Sequence, residues 1–549
     1  MGKIMDHRRV ERSFFIAIVA CLLFSSAFAQ RKERLVDSWQ PTHFDVAITF
    51  DGTLSQIASA TTAIDVRARK GDVGVIDLDF GTMPVAGVTV DGRAVKFAQH
   101  DEKLDVFLPT PTRLNQTLRV SVNYSGIPKD GLILSKDKDG FPSAIGDNWA
   151  DRVHHWIPCL DHPSAKASVT FTVTAPSDYQ AVANGAQLSM KVNPDRTKTW
   201  VFNETRPVSP YNMVVAVGRF ATGTLRSAST FPITYYVPQS EGRYAERGFA
   251  PAAPSVVTFS NLVGPYPYKK LALIVGATRF GGMENANTIV FSPNYFKNFE
   301  NSAAAKSKLF GIPNSAVEVD AHEIAHQWFG DSVTESTWSD LWLSEGFATY
   351  FAGLFLERNE GPERFKEYMR KNAQGYLAYE KTRRAPIHDT QTEKLFDLLN
   401  PNNYEKGGWV LHMLRGMLGD KVFFAGLRSY YDRHKDGLAS TEDLRRDMEN
   451  VSGRDLKNFF DRWIYKAGHP VYQVKWRSMG KGMIGLTLLQ AQADEAFLQP
   501  VTVEIRTKAG KRRVIVRPDS KETTVAVKSA NPGSIVIDPD EAILKEVVN

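Results

Sequence analysis

The chain has 549 residues, 43% of them hydrophobic, and 67 Lys+Arg against 61 Asp+Glu, a net charge of +6 that is mild for this length. It contains no basic stripe with interleaved aromatics, which excludes a typical nucleic-acid face, and no low-complexity run or short repeat. A chain this long outgrows a single core and predicts two to four domains.

Basic residues through Arg12 precede an apolar run from Ser13 to Ala29 that ends Ala27-Phe28-Ala29. This is the pattern of a secretory signal cleaved after Ala29, so the chain is expected to be exported, periplasmic or extracellular. The run is also long enough for an uncleaved anchor, and Ile18-Val19-Ala20-Cys21 resembles a lipoprotein box; both stay as alternatives. No later segment approaches membrane-spanning length. Past the signal Cys159 is the one cysteine, so export here comes without intramolecular disulfides.

From Gln30 to about Phe220 alternation dominates, as in Phe44-Asp-Val46-Ala-Ile48-Thr-Phe50 and Val169-Thr-Phe171-Thr-Val173. With Gly and Pro punctuation at Asp91-Gly92 and Gly126-Ile127-Pro128, this predicts antiparallel sheets buried on one face. Within it, His154, His155 and His162 crowd around Pro158-Cys159. Taken alone, three histidines there suggest a second metal, but their spacing matches no familiar ligand set and they read more readily as loop and packing residues.

After about Ala221 a strand-like Leu271–Val275 leads to Gly281-Gly282-Met283-Glu284-Asn285. Paired glycines let backbone approach a ligand closely, and Glu284 places a negative charge beside it; standing alone, the stretch also reads as an ordinary turn. Next comes His322-Glu323-Ile324-Ala325-His326, an H-E-x-x-H on a predicted helix with Gly330 as its stop. Residues four apart share a helix face, so His322 and His326 aim at one point, a spacing that suits Zn²⁺, with Glu323 beside them. The bare motif also arises by chance. Eighteen residues separate His326 from Glu345, whose own helix, predicted from about Ser344, brings it to the pair as a third ligand and leaves one position open.

Further helices are predicted over Pro362–Lys381, Tyr404–Leu418, Thr441–Asn450 and Leu456–Tyr465. Gly468-His469-Pro470 marks a boundary. Alternating strands such as Val501–Ile505 and Val514–Val516 then return, joined by a turn at Ala509-Gly510, and fit a small β sandwich.

These pieces in this order resemble the M1 family of zinc metallopeptidases, the gluzincin aminopeptidases, over nearly the whole mature chain. The resemblance rests on G-G-M-E-N at Gly281 to Asn285, H-E-x-x-H-x₁₈-E from His322 to Glu345, Tyr404-Glu405-Lys406-Gly407, and Pro158-Cys159-x-Asp161-x-Pro163. It implies one Zn²⁺ per chain held by His322, His326 and Glu345, with Glu323 as general base and Tyr404 on the oxyanion. It also implies that Glu284 binds the substrate's free α-ammonium and that Gly281, Gly282, Met283 and Asn285 belong to the substrate-binding segment. The implied substrates are peptides with a free N-terminus.

The expected architecture is multidomain α+β. A signal peptide at 1–29 precedes an N-terminal antiparallel β domain at 30–220. A thermolysin-like mixed α/β catalytic domain follows at 221–468, then a C-terminal small β sandwich at 469–549. Two departures from the family pattern stand out. The usual Gln or Glu upstream of the Pro-Cys motif is replaced by Gly146-Asp147-Asn148-Trp149-Ala150-Asp151, leaving Asp147 or Asn148 as substitutes for a second amine contact. The chain also stops after the β module, so the family's large C-terminal helical domain is expected to be absent and the cleft more open to longer peptides. An endopeptidase is disfavoured by Glu284, an epoxide hydrolase by the register of Asp397, and a dead scaffold by the intact set of catalytic residues. The sequence sets neither the preferred N-terminal side chain nor the oligomeric state.

Overall fold

The computed structural model describes residues 30–227, 229–301, 303–529 and 532–548, so the proposed signal segment lies outside the described residues. The N-terminal region is built on an eight-stranded sheet whose centre is the strand Trp39–Phe50. Phe44, Val46, Ile48 and Phe50 are all buried, as their alternation predicts. One side of that strand pairs antiparallel with Ile57–Ala68, but the other pairs parallel with Ala167–Pro176, His43 lying opposite Ser168. The sheet is therefore mixed, which corrects the purely antiparallel expectation. Alternation reports which face is buried, and it is the same in either strand direction. A four-stranded sheet contains Pro142–Gly146, which delivers the chain to the segment around Trp149.

The next sheet has five strands, in the order Phe220–Thr224, Ile233–Pro238, Leu271–Val275, Thr288–Phe291, Gly282–Met283. The middle three run parallel, and all five residues of Leu271–Val275 are buried, which is why that stretch reads as a continuous apolar run. Gly282–Met283 pairs antiparallel with Thr288–Phe291 and forms the sheet's edge.

Against this sheet pack the helices Asn314–His326 and Trp342–Glu360, followed by Pro362–Glu380. The first ends at His326, earlier than its predicted stop; Gly330 sits in the following turn at φ +121°. A single π-helical turn, Asn402–Lys406, opens the helix Gly407–Leu418. The helix Asp420–His434 was not among those expected, although Phe423, Leu427, Tyr430 and Tyr431 recur with helical spacing and are all buried.

After Gly468 come a four-stranded and a three-stranded sheet. Their buried residues, among them Ile484, Leu486, Val503 and Ile505, join the same apolar cluster as the helices Asn314–His326 and Trp342–Glu360. Trp463 and Phe497 meet across the junction with ring centroids 4.6 Å apart. Among the described residues no helix is long and apolar enough to cross a membrane.

Candidate active site

His322 and His326 lie one turn apart on the first helix, their ring centroids 4.7 Å apart and their planes at 79°. Their Nε2 atoms are 3.0 Å apart, and Glu345 Oε2 stands 3.3 Å from one and 3.4 Å from the other. Three donors on a tetrahedral zinc at about 2.0–2.1 Å lie about 3.3 Å from one another, so this triangle has the size a zinc ion requires. Glu345 Oε2 is buried with no hydrogen-bond donor, as an atom aimed at a cation would be. The far nitrogen of His326, Nδ1, faces the Phe329 carbonyl at 3.1 Å and Ser344 Oγ at 3.0 Å, contacts that orient the ring.

Electrostatics point the same way. Burial pushes Glu284 and Glu323 upward, and neighbouring carboxylates add to it. Burial acts to depress His326, but Glu284 and Glu345 carry it upward; Glu345 in turn is drawn down by His326 against its own burial. Three buried carboxylates around two imidazoles form a cradle short of positive charge. A bound divalent cation supplies it and leaves the histidines neutral as ligands.

The candidate site's side chains are placed by close backbone contacts. A Cβ on Gly282 would fall 2.3 Å from the Glu323 carboxylate, so glycine is what lets the edge strand lie against the base. A Cβ on Gly346 would come within 2.9 Å of Gly407 Cα, and one on Gly407 within 3.0 Å of Gly346 Cα. That crossing holds the π turn against the Glu345 helix and lays the Tyr404 ring parallel to His322, centroids 5.9 Å apart at 7°. Burial raises the Tyr404 phenol well above its usual value, so it is a proton donor at neutral pH.

Glu284 and Met283 line the same cleft, while Asn285 is buried behind it, its amide near the Met283 carbonyl at 3.4 Å. The cleft encloses about 480 Å³. Its walls also include Trp149, Phe280, Lys371, Asn372 and Glu405, to none of which the sequence reading gave a role in the cleft. Also missed is Gln327, whose amide donates to the Glu284 carbonyl at 2.9 Å while its oxygen accepts from Asn287 N at 2.7 Å.

Neither substitute for the second amine contact reaches the cleft. Asp147 accepts from Arg152 at 2.9 Å and Thr278 at 2.8 Å, and Asn148 bonds the Trp156 indole at 2.8 Å and the Met213 carbonyl. Trp149 takes that place on the wall. Asp397 is exposed.

Two histidines and a carboxylate on crossing helices, with a glutamate beside a ligand, define a mononuclear metal centre of the H-E-x-x-H class. The model described as the peptidase family M1 domain matches residues 257–463, and that described as the peptidase M1 N-terminal domain matches residues 40–212. The chain belongs to peptidase family M1. It is 28% identical over 465 residues to the tricorn protease-interacting factor F2 of Thermoplasma acidophilum, covering 82% of this chain and 57% of that protein. It is 30% identical over 328 residues to aminopeptidase M1-A of Oryza sativa subsp. japonica (58% and 36%), and 28% identical over 453 residues to aminopeptidase M1 of Arabidopsis thaliana (78% and 50%). The chain spans about half the length of the curated relatives it matches.

Proposed function

We propose that the chain is a zinc-dependent aminopeptidase that removes N-terminal residues from peptides. The observation that carries this reading is the buried Glu284 carboxylate, set in the same cleft as the His322–His326–Glu345 triangle and close enough to His326 and Glu323 to share a site with them. A buried carboxylate of this kind is satisfied by a substrate's α-ammonium and left unpaired by an internal peptide bond, which favours exopeptidase over endopeptidase action. Names of relatives that include aminopeptidases support the same reading.

His322, His326 and Glu345 would hold the zinc, which when bound would supply Lewis acidity and lower the pKa of a coordinated water. The substrate's N-terminus pairs with Glu284, and its backbone lies along the unpaired edge of Gly282–Met283 in the manner of an added strand. Glu323 takes the proton of the attacking water on its carboxylate and returns it to the departing amine. Tyr404 donates its hydroxyl hydrogen to the oxyanion, a contribution of a few kcal/mol in comparable sites.

The reading extends to the rest of the chain: export by a signal cleaved after Ala29, a thermolysin-like catalytic region, and the C-terminal sheets as a β sandwich. N-terminal sequencing of the protein from the exported fraction tests the first. The function is tested with aminoacyl-arylamides and the same peptides with blocked N-termini, each with and without chelator. Hydrolysis confined to free amines, lost to chelator and restored by Zn²⁺, is expected. Cleavage of blocked peptides at comparable rates would overturn the aminopeptidase reading.

A further inference from the structure

Among the described residues, one group of side chains able to ligate a metal lies outside the cleft and is left without a role. Glu102, His154 and His155 each bring one ligand atom within 4.8 Å of the others. Glu102 stands in the turn between the strands Phe97–His100 and Lys103–Phe107, with φ +59°, and the histidines share the 3-10 turn Val153–His155. Three features set this group apart from ordinary loop packing.

First, His154 Nδ1 is fixed by the Asp161 carboxylate at 2.8 Å, which turns Nε2 toward Glu102 Oε2, 3.8 Å away. A carboxylate behind an imidazole is how proteins set the tautomer and direction of a metal-binding histidine. A gap of 3.8 Å is too wide for a hydrogen bond, whereas two donors on one zinc stand about 3.3–3.5 Å apart, so a slight closure admits an ion. Second, His155 is only 8% exposed and its Nδ1 has no hydrogen-bond partner, an unusual state for a buried ring nitrogen. Third, carboxylates face His154, although one of them, Asp79, is itself paired with Arg34 and Lys103. Asp161, Asp79 and Asp151 all act on His154, while the lysine beside Glu102, Lys129, engages its other oxygen, Oε1, at 2.9 Å.

We infer that Glu102, His154 and His155 form a second divalent-metal site, independent of the catalytic triangle and of the N₂O donor type that suits Zn²⁺. The site is structural. Its histidines follow directly on the segment that carries Trp149, whose ring forms the cleft wall beside Phe280 and packs edge-on against Trp338 at 5.6 Å. An ion held there pins that segment to the Glu102 turn.

The test is a metal count. The full chain is stripped with chelator, re-equilibrated with Zn²⁺ and measured by inductively coupled plasma mass spectrometry. Two zinc ions per chain are expected for the parent, and one each for Glu102→Gln and for the pair His154→Gln/His155→Gln. The pair His322→Gln/His326→Gln is also expected to retain one, and this result stands whether or not the peptidase reading does. Because Glu102 lies on a half-exposed turn, Glu102→Gln is expected to match the stripped parent in circular dichroism and Tm, while its second-site affinity falls at least about tenfold. A parent that binds a single ion, or Glu102 and histidine variants that still bind two, would overturn the assignment.

Discussion

The side-chain amide of Gln327, one residue beyond His326, donates to the main-chain carbonyl of Glu284 at 2.9 Å. The helix that carries His322 and His326 thus also holds the Glu284 segment, which the proposed function assigns to the substrate's amine. Gln327→Leu is expected to retain the metal while kcat/KM falls about 10- to 100-fold, a loss of roughly 1.4–2.7 kcal/mol of transition-state stabilisation. Steady-state kinetics beside a metal count check this, and loss of zinc in the variant would contradict it.

On the proposed function, Glu284 is the residue expected to discriminate for a free N-terminus. Glu284→Ala is expected to narrow the rate ratio between free and blocked peptides by about 100-fold or more, mostly by slowing the free ones. The parent and variant are compared on one peptide with and without an N-acetyl group. An undiminished ratio would assign amine recognition elsewhere.

The Gly346–Gly407 crossing leaves no room for a methyl group. Gly407→Ala is expected to lower stability by about 1–3 kcal/mol through overpacking. By displacing the π turn that carries Tyr404, it is also expected to reduce kcat more than it raises KM. Urea unfolding and steady-state kinetics on the same preparation separate the two effects.

Metal removal offers a stability readout independent of turnover. Stripping zinc leaves Glu284, Glu323 and Glu345 facing one another, so the chelated chain is expected to have the lower Tm. Zinc at about 100 times its Kd restores about 2.7 kcal/mol. Differential scanning calorimetry across a zinc titration would show it, and a flat Tm would contradict it.

Lys406 makes stability depend on pH. Its ammonium is buried, with no hydrogen-bond partner, over the Tyr376 ring. Burial pulls its pKa down to about 7, Glu380 opposing and Arg462 and Arg384 reinforcing. Between that value and about 10.4 the unfolded chain binds more protons than the folded one, so this residue's destabilising effect is full below pH 7 and fades as pH rises. Lys406→Met is therefore expected to be more stable than the parent by about 1–3 kcal/mol near about pH 6, with a smaller margin near about pH 9. Urea unfolding at both pH values decides it.

The ligand triangle was legible because helical periodicity fixes His322 against His326, and an intact second helix brings Glu345 back after a fixed spacer. The local pattern around Glu284 and Tyr404 allowed a ligand nearby but read equally as a turn and a packing tyrosine, so their roles were legible only through the resemblance. The walls were not legible. Trp149, Phe280 and Asn372 come from three distant segments whose meeting depends on how sheets and helices stack. Asp147 and Asn148 had the right chemistry, yet Arg152, Thr278 and Trp156 consume it. The parallel pairing of Phe44 with Val169 escaped because burial alternates identically in both strand directions. The helix at Asp420–His434, by contrast, had a readable aromatic period.

The shared core across Gly468 has a consequence for dissecting this protein. The chain pattern changes there, but Trp463 and Phe497 belong to one packed interior, and Arg462 caps the Phe497 ring at 3.8 Å. Gly468 is thus a seam in the sequence that cuts through a cooperative unit. A chain trimmed at that seam is expected to lay bare Trp463 and the apolar surface around it, and so to aggregate, even though His322, His326 and Glu345 are all still on it.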